Sequence, residues 1–402
     1  MNTNTPEFKS VLRRLRNENE SPERGTLICF SHLRWDFVFQ RPQQLLTRFA
    51  KNFRILFIEE PVFQQDIEDH LTFKVYIDGI TIVVPYINES KQEQQRLASL
   101  RNLIATALKD VDISESVFWY YSPMAYPLTA QYQPKLVIYD CMDELSAFKF
   151  APENISFYEE KLMNKSDIVF TGGRSLYSAK KDKHPNIYAF PSSIDKKHFG
   201  SAREVAGQPE DQAIIKGVKL GFFGVIDERF DIEMIREAAA AKPDWHFILI
   251  GPVVKIDPAT LPQAANIHYL GGKSYQELPS YISGWDIALI PFQLNESTRF
   301  ISPTKTPEYL SAGVPVISTP IKDVINPYGV NGLVRITANA AGLIKEATEI
   351  LSLSPAEKAK WLKEVDEFLA PDSWENTCEK MMNIINEKIL SNSEDLKTTS
   401  HV

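Results

Sequence analysis

Short apolar runs alternate with helical patterns along this chain, and the alternation is run through twice. In the first half, residues 26–31, 55–58, 80–84, 117–121, 136–139 and 168–171 read as strands, with helical patterns at 43–51, 92–109 and 155–165. The pattern breaks at Pro191-Ser-Ser-Ile-Asp-Lys-Lys-His-Phe-Gly200 and stays polar to Lys216. It then restarts, with strands at 219–223, 246–250, 267–270, 287–291, 314–318 and 333–336 and helices at 231–241, 275–283 and 306–312. Apolar strands joined through helices are buried on both faces and pair in parallel, because parallel neighbours need a long crossover. A chain of 402 residues also exceeds what one core comfortably holds. The expected fold class is therefore α/β: two tandem Rossmann-like, doubly wound domains with a cleft between them.

The expected divisions are a flexible segment at 1–24, a first domain at 25–195, and a second at 196–370 that holds the ligand. A C-terminal helix at 371–392 crosses back to the first domain, and 393–402 form a disordered tail. Further helices are expected at 340–353 and 355–368. Asp372-Ser-Trp-Glu375 reads as a capping box opening the last helix. Trp374, Cys378, Met381, Ile385 and Ile389 form that helix's apolar stripe, which needs a surface to cover.

Ser302-Pro-Thr-Lys-Thr-Pro-Glu308 carries the strongest chemical signal. Ser302-Pro303 and Thr306-Pro307 both resemble helix openings, a capping hydroxyl followed by proline at the first helical position. Such an opening offers unpaired N–H groups to an anion, and Thr304 and Lys305 stand beside it. Glu308 lies on the same face as Lys305 and can accept hydrogen bonds from a sugar diol. Cation and amides for a diphosphate with a carboxylate for ribose describe a nucleotide-diphosphate site. The ordinary alternative is a surface ion pair. Around it, Gly224, Gly251 and Gly272 end strands where backbone approaches a ligand, and the backbone at Gly272 and Lys273 can read a base edge. Equally, each glycine can merely turn strand into helix.

Two loops in the first half add candidate chemistry. Ser31-His-Leu-Arg-Trp-Asp-Phe-Val-Phe-Gln-Arg-Pro42 leaves a strand and puts His32 at its carboxyl end, with Arg34, Trp35, Asp36, Gln40 and Arg41 nearby. Tyr139-Asp-Cys-Met-Asp-Glu144 places three carboxylates at another strand end. Asp143 is the candidate base, since Asp140 sits too close to the strand. Helix capping by Asp143 or Glu144 is the alternative. Tyr121 and Tyr126 are expected to form a stacking wall for a sugar.

Composition excludes other classes. A net charge of −8 lacks the basic face of a nucleic-acid binder. Cys29, Cys141 and Cys378 match neither a disulfide framework nor a zinc spacing, which fits a reducing cytoplasm. No run of roughly eighteen apolar residues and no signal-peptide core is present. Phe8, Val11, Leu12 and Leu15 at helical spacing among Lys9, Arg13, Arg14 and Arg16 fit either a basic amphipathic helix at residues 8–16 resting on an anionic membrane surface or, equally, a frayed terminus. Asp110-Val-Asp112 reads as a surface turn, and no metal ligand is assigned. No G-x-G-x-x-G or P-loop supports hydride transfer or ATP hydrolysis.

The chain resembles GT-B glycosyltransferases of the family-four group and the bacterial exopolysaccharide glucuronosyltransferases, from about Thr26 to Trp374. The markers are Thr304-Lys305 with Glu308-Tyr-Leu-x-Ala-Gly-x-Pro-Val, the linker Pro191-Ser-Ser-Ile-Asp195 with His198-Phe199, Gly221-Phe-Phe-Gly224 and Ile250-Gly-Pro252. The resemblance implies that Lys305 holds a diphosphate, Glu308 a ribose, and Asp143 the acceptor's proton. Phe300 stands where that group carries its first glutamate. Asp227-Glu-Arg229-Phe-Asp231 replaces its usual Lys-Gly, leaving Arg229 as the substitute cation. Retention and inversion thus both stay open. The implied activity moves a sugar from a nucleotide-diphosphate donor, UDP-linked, to a glycan or lipid-linked acceptor at the cytoplasmic membrane face. The nucleotide sugar is substrate, no cofactor is implied, and the protein itself supplies the positive charge. A nucleotide-sugar epimerase of the same plan, or a non-catalytic relative, are the rival expectations.

Overall fold

The computed structural model describes residues 24–205 and 207–399. The 8–16 segment thus lies outside the described residues. Two separate sheets carry the chain. The first contains β1 (Gly25–Ser31), β2 (Phe53–Glu59), β3 (Val62–Gln64), β4 (His70–Ile77), β5 (Ile80–Asn88), β6 (Ser116–Tyr120), β7 (Leu136–Cys141), β8 (Ile168–Thr171) and β9 (Ile187–Ala189). Its order is β3-β5-β2-β1-β6-β7-β8-β9, with β4 beside β5. The second contains β10 (Val218–Phe223), β11 (Trp245–Ile250), β12 (Ile267–Gly271), β13 (Ile287–Ile290), β14 (Val316–Ser318) and β15 (Val334–Ile336), ordered β12-β11-β10-β13-β14-β15. All pairings are parallel except β4 with β5.

The apolar runs became strands because both faces of each are covered: Leu27, Ile28, Cys29, Leu220, Phe222 and Ile248 are all fully buried. The main helices are α1 (Arg41–Phe49), α2 (Glu93–Leu108), α3 (Ile155–Lys165), α4 (Arg174–Lys180), α5 (Ile232–Ala241), α6 (Lys305–Ser311), α7 (Ala340–Ser352), α8 (Pro355–Leu369) and α9 (Trp374–Thr399). Three strands lie outside the expected set. β4 is half exposed, so it lacks a continuous apolar run. Its hairpin to β5 turns at Asp78-Gly79, where Gly79 has φ +88°. β3 and β9 are only three residues long.

Helix α9 returns to the first sheet. Trp374, Cys378, Met381 and Ile385 are buried in one cluster with Leu45, Leu46, Trp119 and Phe170, and Arg48 binds Glu375 at 2.8 Å. Two expectations about it need correcting. The helix runs on to Thr399, so 393–399 are not a disordered tail; no glycine or proline follows Pro371 to stop it. Its cap is Ser373, whose hydroxyl accepts from the Asn376 N–H at 3.0 Å, one position later than the expected box.

Near the linker, Ile194, Phe199 and Ala202 pack into the second-sheet core. The two halves also touch directly. Asp323 accepts hydrogen bonds from the N–H groups of Arg174 and Ser175 at 2.8 and 2.9 Å, capping α4 from the other half of the chain. Among the described residues no helix is long and apolar enough to cross a membrane.

Candidate active site

The carboxyl ends of β1, β7, β10 and β11 open onto one cavity of about 990 Å³ between the two sheets. His32, Asp143, Gly224, Arg229, Gly251, Gly272, Lys273, Thr304, Lys305 and Glu308 all line it. Sequence-distant candidates are therefore brought to one place.

On the second-sheet side, Lys305 opens α6 and packs its ammonium over three rings, 5.6 Å from Phe222, 5.9 Å from Phe223 and 5.8 Å from Phe292. Burial pushes its pKa down, opposed by Glu308 one turn along. Burial likewise pushes the Glu308 carboxyl up. Glu308 Oε2 and Thr306 Oγ1 are buried without partners among the described residues. An unpaired buried acceptor is costly unless a ligand completes it. The Arg229 guanidinium binds Asp227 through Nε and Nη2, at 3.0 and 2.6 Å, and stands 5.5 Å from the Phe148 ring. Phe300 packs against an apolar cluster of the first half, so that position makes contact between the halves.

Two glycines are required by close approach. A Cβ on Gly224, at φ +141°, falls 2.3 Å from Lys305 Cε, so only glycine leaves that side chain its place. A Cβ on Gly251, at φ +142°, falls 1.9 Å from the Gly224 carbonyl oxygen. Gly251 thus keeps backbone beside backbone at the cavity wall. The Lys273 ammonium is held by Asp211 at 2.7 Å.

The expected helix opening is corrected. α6 begins at Lys305, with Thr304 at the cap position making no side-chain cap bond, so neither Ser302 nor Thr306 caps it. Pro307 falls at the third helical position, tolerable because first-turn N–H groups have no helical acceptor. The Thr306 N–H is spent on the Pro303 carbonyl at 3.2 Å, and Pro307 has none. Side chains therefore supply more of the positive charge here than amides do.

On the first-sheet side, the three carboxylates after β7 are sorted by their partners. Asp140 is fully buried against Arg41, Oδ1 to Nη2 at 2.9 Å. Glu144 binds Lys180 at 2.8 Å, which also holds Glu159. Asp143 remains at the cavity. Burial pushes its carboxyl up, while Arg229 and Arg41 pull it down. His32 lines the same cavity, with Nδ1 buried and unpartnered among the described residues. Burial lowers its pKa to about 4 against the pull of the Tyr121 backbone, so the imidazole is neutral near pH 7.

Several neighbours of His32 are structural. Trp35 is buried, and Arg34 binds Glu59 at 2.9 Å. The expected sugar wall is also corrected. Tyr121 is buried in the first-sheet core, since it directly continues β6, and Tyr126 packs against the cluster on the other face. Neither lines the cavity; its aromatic lining includes Phe37, Phe39, Phe148, Phe150 and Tyr275, with Trp35, Tyr76, Phe223 and Phe292. Phe37-Val-Phe39 and Phe148-Lys-Phe150 were visible as aromatic pairs beside the two singled-out loops. Tyr275 was not: it joins the halves through its hydroxyl, 2.9 Å from Gln44 Nε2, and through its ring, 4.6 Å from that of Phe39.

Residues 218–353, within the second half, match the family model described as Glycosyl transferases group 1. The chain is 27% identical over 220 residues to the putative teichuronic acid biosynthesis glycosyltransferase TuaH of Bacillus subtilis (strain 168). That alignment takes in 50% of this chain and 54% of the relative, so it spans about half the length of the curated relative. The architecture is similar to sucrose-phosphate synthase from Thermosynechococcus elongatus, with a TM-score of 0.71, 14% identity, and 92% of this chain and 100% of that one covered. It is also similar to Anabaena Alr3699/HepE in complex with UDP and glucose, with a TM-score of 0.64, 11% identity, and 90% and 100% covered. The two-domain α/β architecture expected from the alternation is the GT-B fold.

Proposed function

We propose that this protein is a glycosyltransferase that moves a sugar from a UDP-linked donor onto a glycan or lipid-linked acceptor in cell-surface polysaccharide synthesis. The carrying observation is that Lys305, Arg229 and Glu308 from one half and Asp143 and His32 from the other line a single cavity. The similarity to the teichuronic acid glycosyltransferase supports the polysaccharide assignment. A structural neighbour holding UDP and glucose supports the donor class.

In this reading the nucleoside lies toward Gly272 and Lys273, and the ribose hydroxyls donate to Glu308, which otherwise keeps Oε2 unpartnered. The diphosphate sits against Lys305 and Arg229. The Asp143 carboxylate takes the proton of an acceptor hydroxyl, whose oxygen bonds to the anomeric carbon as the bond to the diphosphate breaks. Lys305 and Arg229 neutralise the charge on the departing group in a site walled by Phe222, Phe223 and Phe292. Neutral His32 offers its buried ring nitrogen to a sugar hydroxyl. A lipid-linked acceptor places the work at the cytoplasmic membrane face, in keeping with the basic amphipathic pattern at residues 8–16.

Thermal unfolding with UDP-, GDP- and dTDP-sugars tests the donor assignment, because a ligand of the native state raises the melting temperature. UDP-sugars are expected to stabilise; a chain indifferent to all three contradicts the assignment. NMR of product formed with and without acceptor then separates transfer from epimerisation, which needs donor alone.

A further inference from the structure

Among the described residues the Asp143 carboxylate makes no hydrogen bond and no ion pair; the Arg229 and Arg41 charges act on it without contact. A catalytic group must nevertheless sit within roughly 0.5 Å of its productive place. Its direction is therefore set by the backbone that carries it, and that backbone is gripped on both sides.

Before Asp143, the end of β8 presses on Met142. The Gly172 N–H donates to the Cys141 carbonyl at 2.8 Å, and a Cβ on Gly172 would fall 2.6 Å from the Met142 carbonyl oxygen. At Asp143 itself, the Cys141 thiol donates to the carbonyl oxygen at 3.5 Å. After it, Glu144 Oε2 meets the Lys180 ammonium at 2.8 Å, and Glu144 Oε1 accepts from the Ser146 hydroxyl at 2.7 Å. Lys180 ends α4 and its side chain is 2% exposed. Both oxygens of Glu159, on α3, hold the same ammonium at 2.8 Å, so Lys180 cannot follow the loop if it moves. Glu159 is fixed in turn by the Tyr139 hydroxyl at 2.9 Å. Burying an ammonium with two carboxylates is a costly route to stability, since apolar side chains of like volume commonly do as well or better. The distinctive property of the cluster is its fixed geometry.

We propose that Lys180 is a positioning residue for the transfer reaction: it anchors Glu144 to α3 and so holds the adjacent Asp143 carboxylate toward the cavity. This rests on the reading of Asp143 as the base. Neither Lys180 nor Glu144 lines the cavity, so both act through the loop alone.

The tie is best cut at Glu144, because Lys180→Met would also strip Glu159 of its partner and endanger the fold. In Glu144→Ala, Lys180 keeps Glu159, and the melting temperature should stay near that of wild type. Release of UDP from UDP-glucose and from UDP-glucuronate, with water or an oligosaccharide as acceptor, is measured on the full chain. The variants are Glu144→Ala, Glu144→Gln, Asp143→Asn and Glu144→Ala combined with Asp143→Asn. Hydrogen exchange of residues 142–147 and calorimetry with UDP accompany the rates. Glu144→Ala is expected to lower kcat roughly ten- to hundredfold, the cost of displacing a reacting group by about 1 Å. Its UDP affinity should be unchanged and its loop should exchange faster. Glu144→Gln keeps an acceptor oxygen for Lys180 and should restore most of the rate. In the Asp143→Asn background Glu144→Ala should cost nothing more, since its effect passes through that carboxylate. An unchanged rate or unchanged exchange in Glu144→Ala, an equal loss in Glu144→Gln, or an additive loss in the double variant overturns the proposal. An Asp143→Asn variant as active as wild type refutes the base assignment instead, and a wild type that releases no UDP counts against transfer. In either case loop exchange still decides whether Lys180 holds the loop through Glu144.

Discussion

Lys305→Met should separate ligand binding from fold stability, moving them in opposite directions. In the free protein the lysine is a buried cation among Phe222, Phe223 and Phe292, with no carboxylate in ion-pair contact among the described residues. Replacing a buried charge by an apolar side chain of similar length removes a desolvation cost, so the unliganded melting temperature should hold or rise. Glu308 loses its counter-charge but is already biased toward its neutral form by burial. For bound diphosphate the sign reverses. Unit charges about 4 Å apart at an effective dielectric near 20 attract by about 4 kcal/mol. Removing one partner of a buried charged contact costs about 2–5 kcal/mol. Taking about 2–4 kcal/mol gives a roughly 30- to 700-fold rise in the UDP dissociation constant. Calorimetry across pH supplies a further check. Burial lowers the lysine's pKa, and the diphosphate needs the ammonium. Wild-type affinity should therefore be full below that lowered value and fall as pH rises through it, while the variant loses that dependence. Unchanged UDP affinity in Lys305→Met would refute the assignment, and a sharply lower melting temperature would recast the lysine as structural.

Asp143→Asn should leave UDP binding intact and lower the transfer rate by about 10²–10⁴-fold. Because burial raises the Asp143 pKa, wild-type kcat/KM should fall with decreasing pH at a higher pH than an ordinary aspartate sets; steady-state rates across pH check both points. Gly224→Ala should weaken UDP binding without altering any charge, since its Cβ would displace Lys305, and titration with UDP reads the effect. Arg41→Met strands Asp140 in the core and should cost about 3–5 kcal/mol in urea unfolding. Asp323→Ala removes the cap joining the halves at α4 and should cost about 1 kcal/mol. Small-angle scattering should then report a wider cleft.

The strands were legible where both faces are buried, because a run such as residues 247–250 must then be apolar throughout. β4 escaped for the converse reason: at the sheet edge it shows solvent a mixed face. Its Asp78-Gly79 turn was the available signal. Lys305 and Glu308 were legible as a pair because helical spacing puts them on one face. Their burial was not legible, since the covering rings come from β10 and the loop after β13. The expected capping hydroxyls failed because Pro307 fits a first turn at more than one position.

By itself, the sequence determined the doubly repeated α/β plan and the residue types available at each strand end. Periodicity and strand-end chemistry are local properties that any copy of these segments would carry. Only the tertiary structure decided which groups remain free to act. Arg41, 99 residues from Asp140, consumes that carboxylate, and Lys180 consumes Glu144, so Asp143 alone of the three faces the cavity. The charge states of Lys305, Glu308 and His32 are set in the same way, by desolvation beneath side chains distant in sequence. A charge's worth depends on the dielectric and the partners around it, and those exist only once the chain has closed over it.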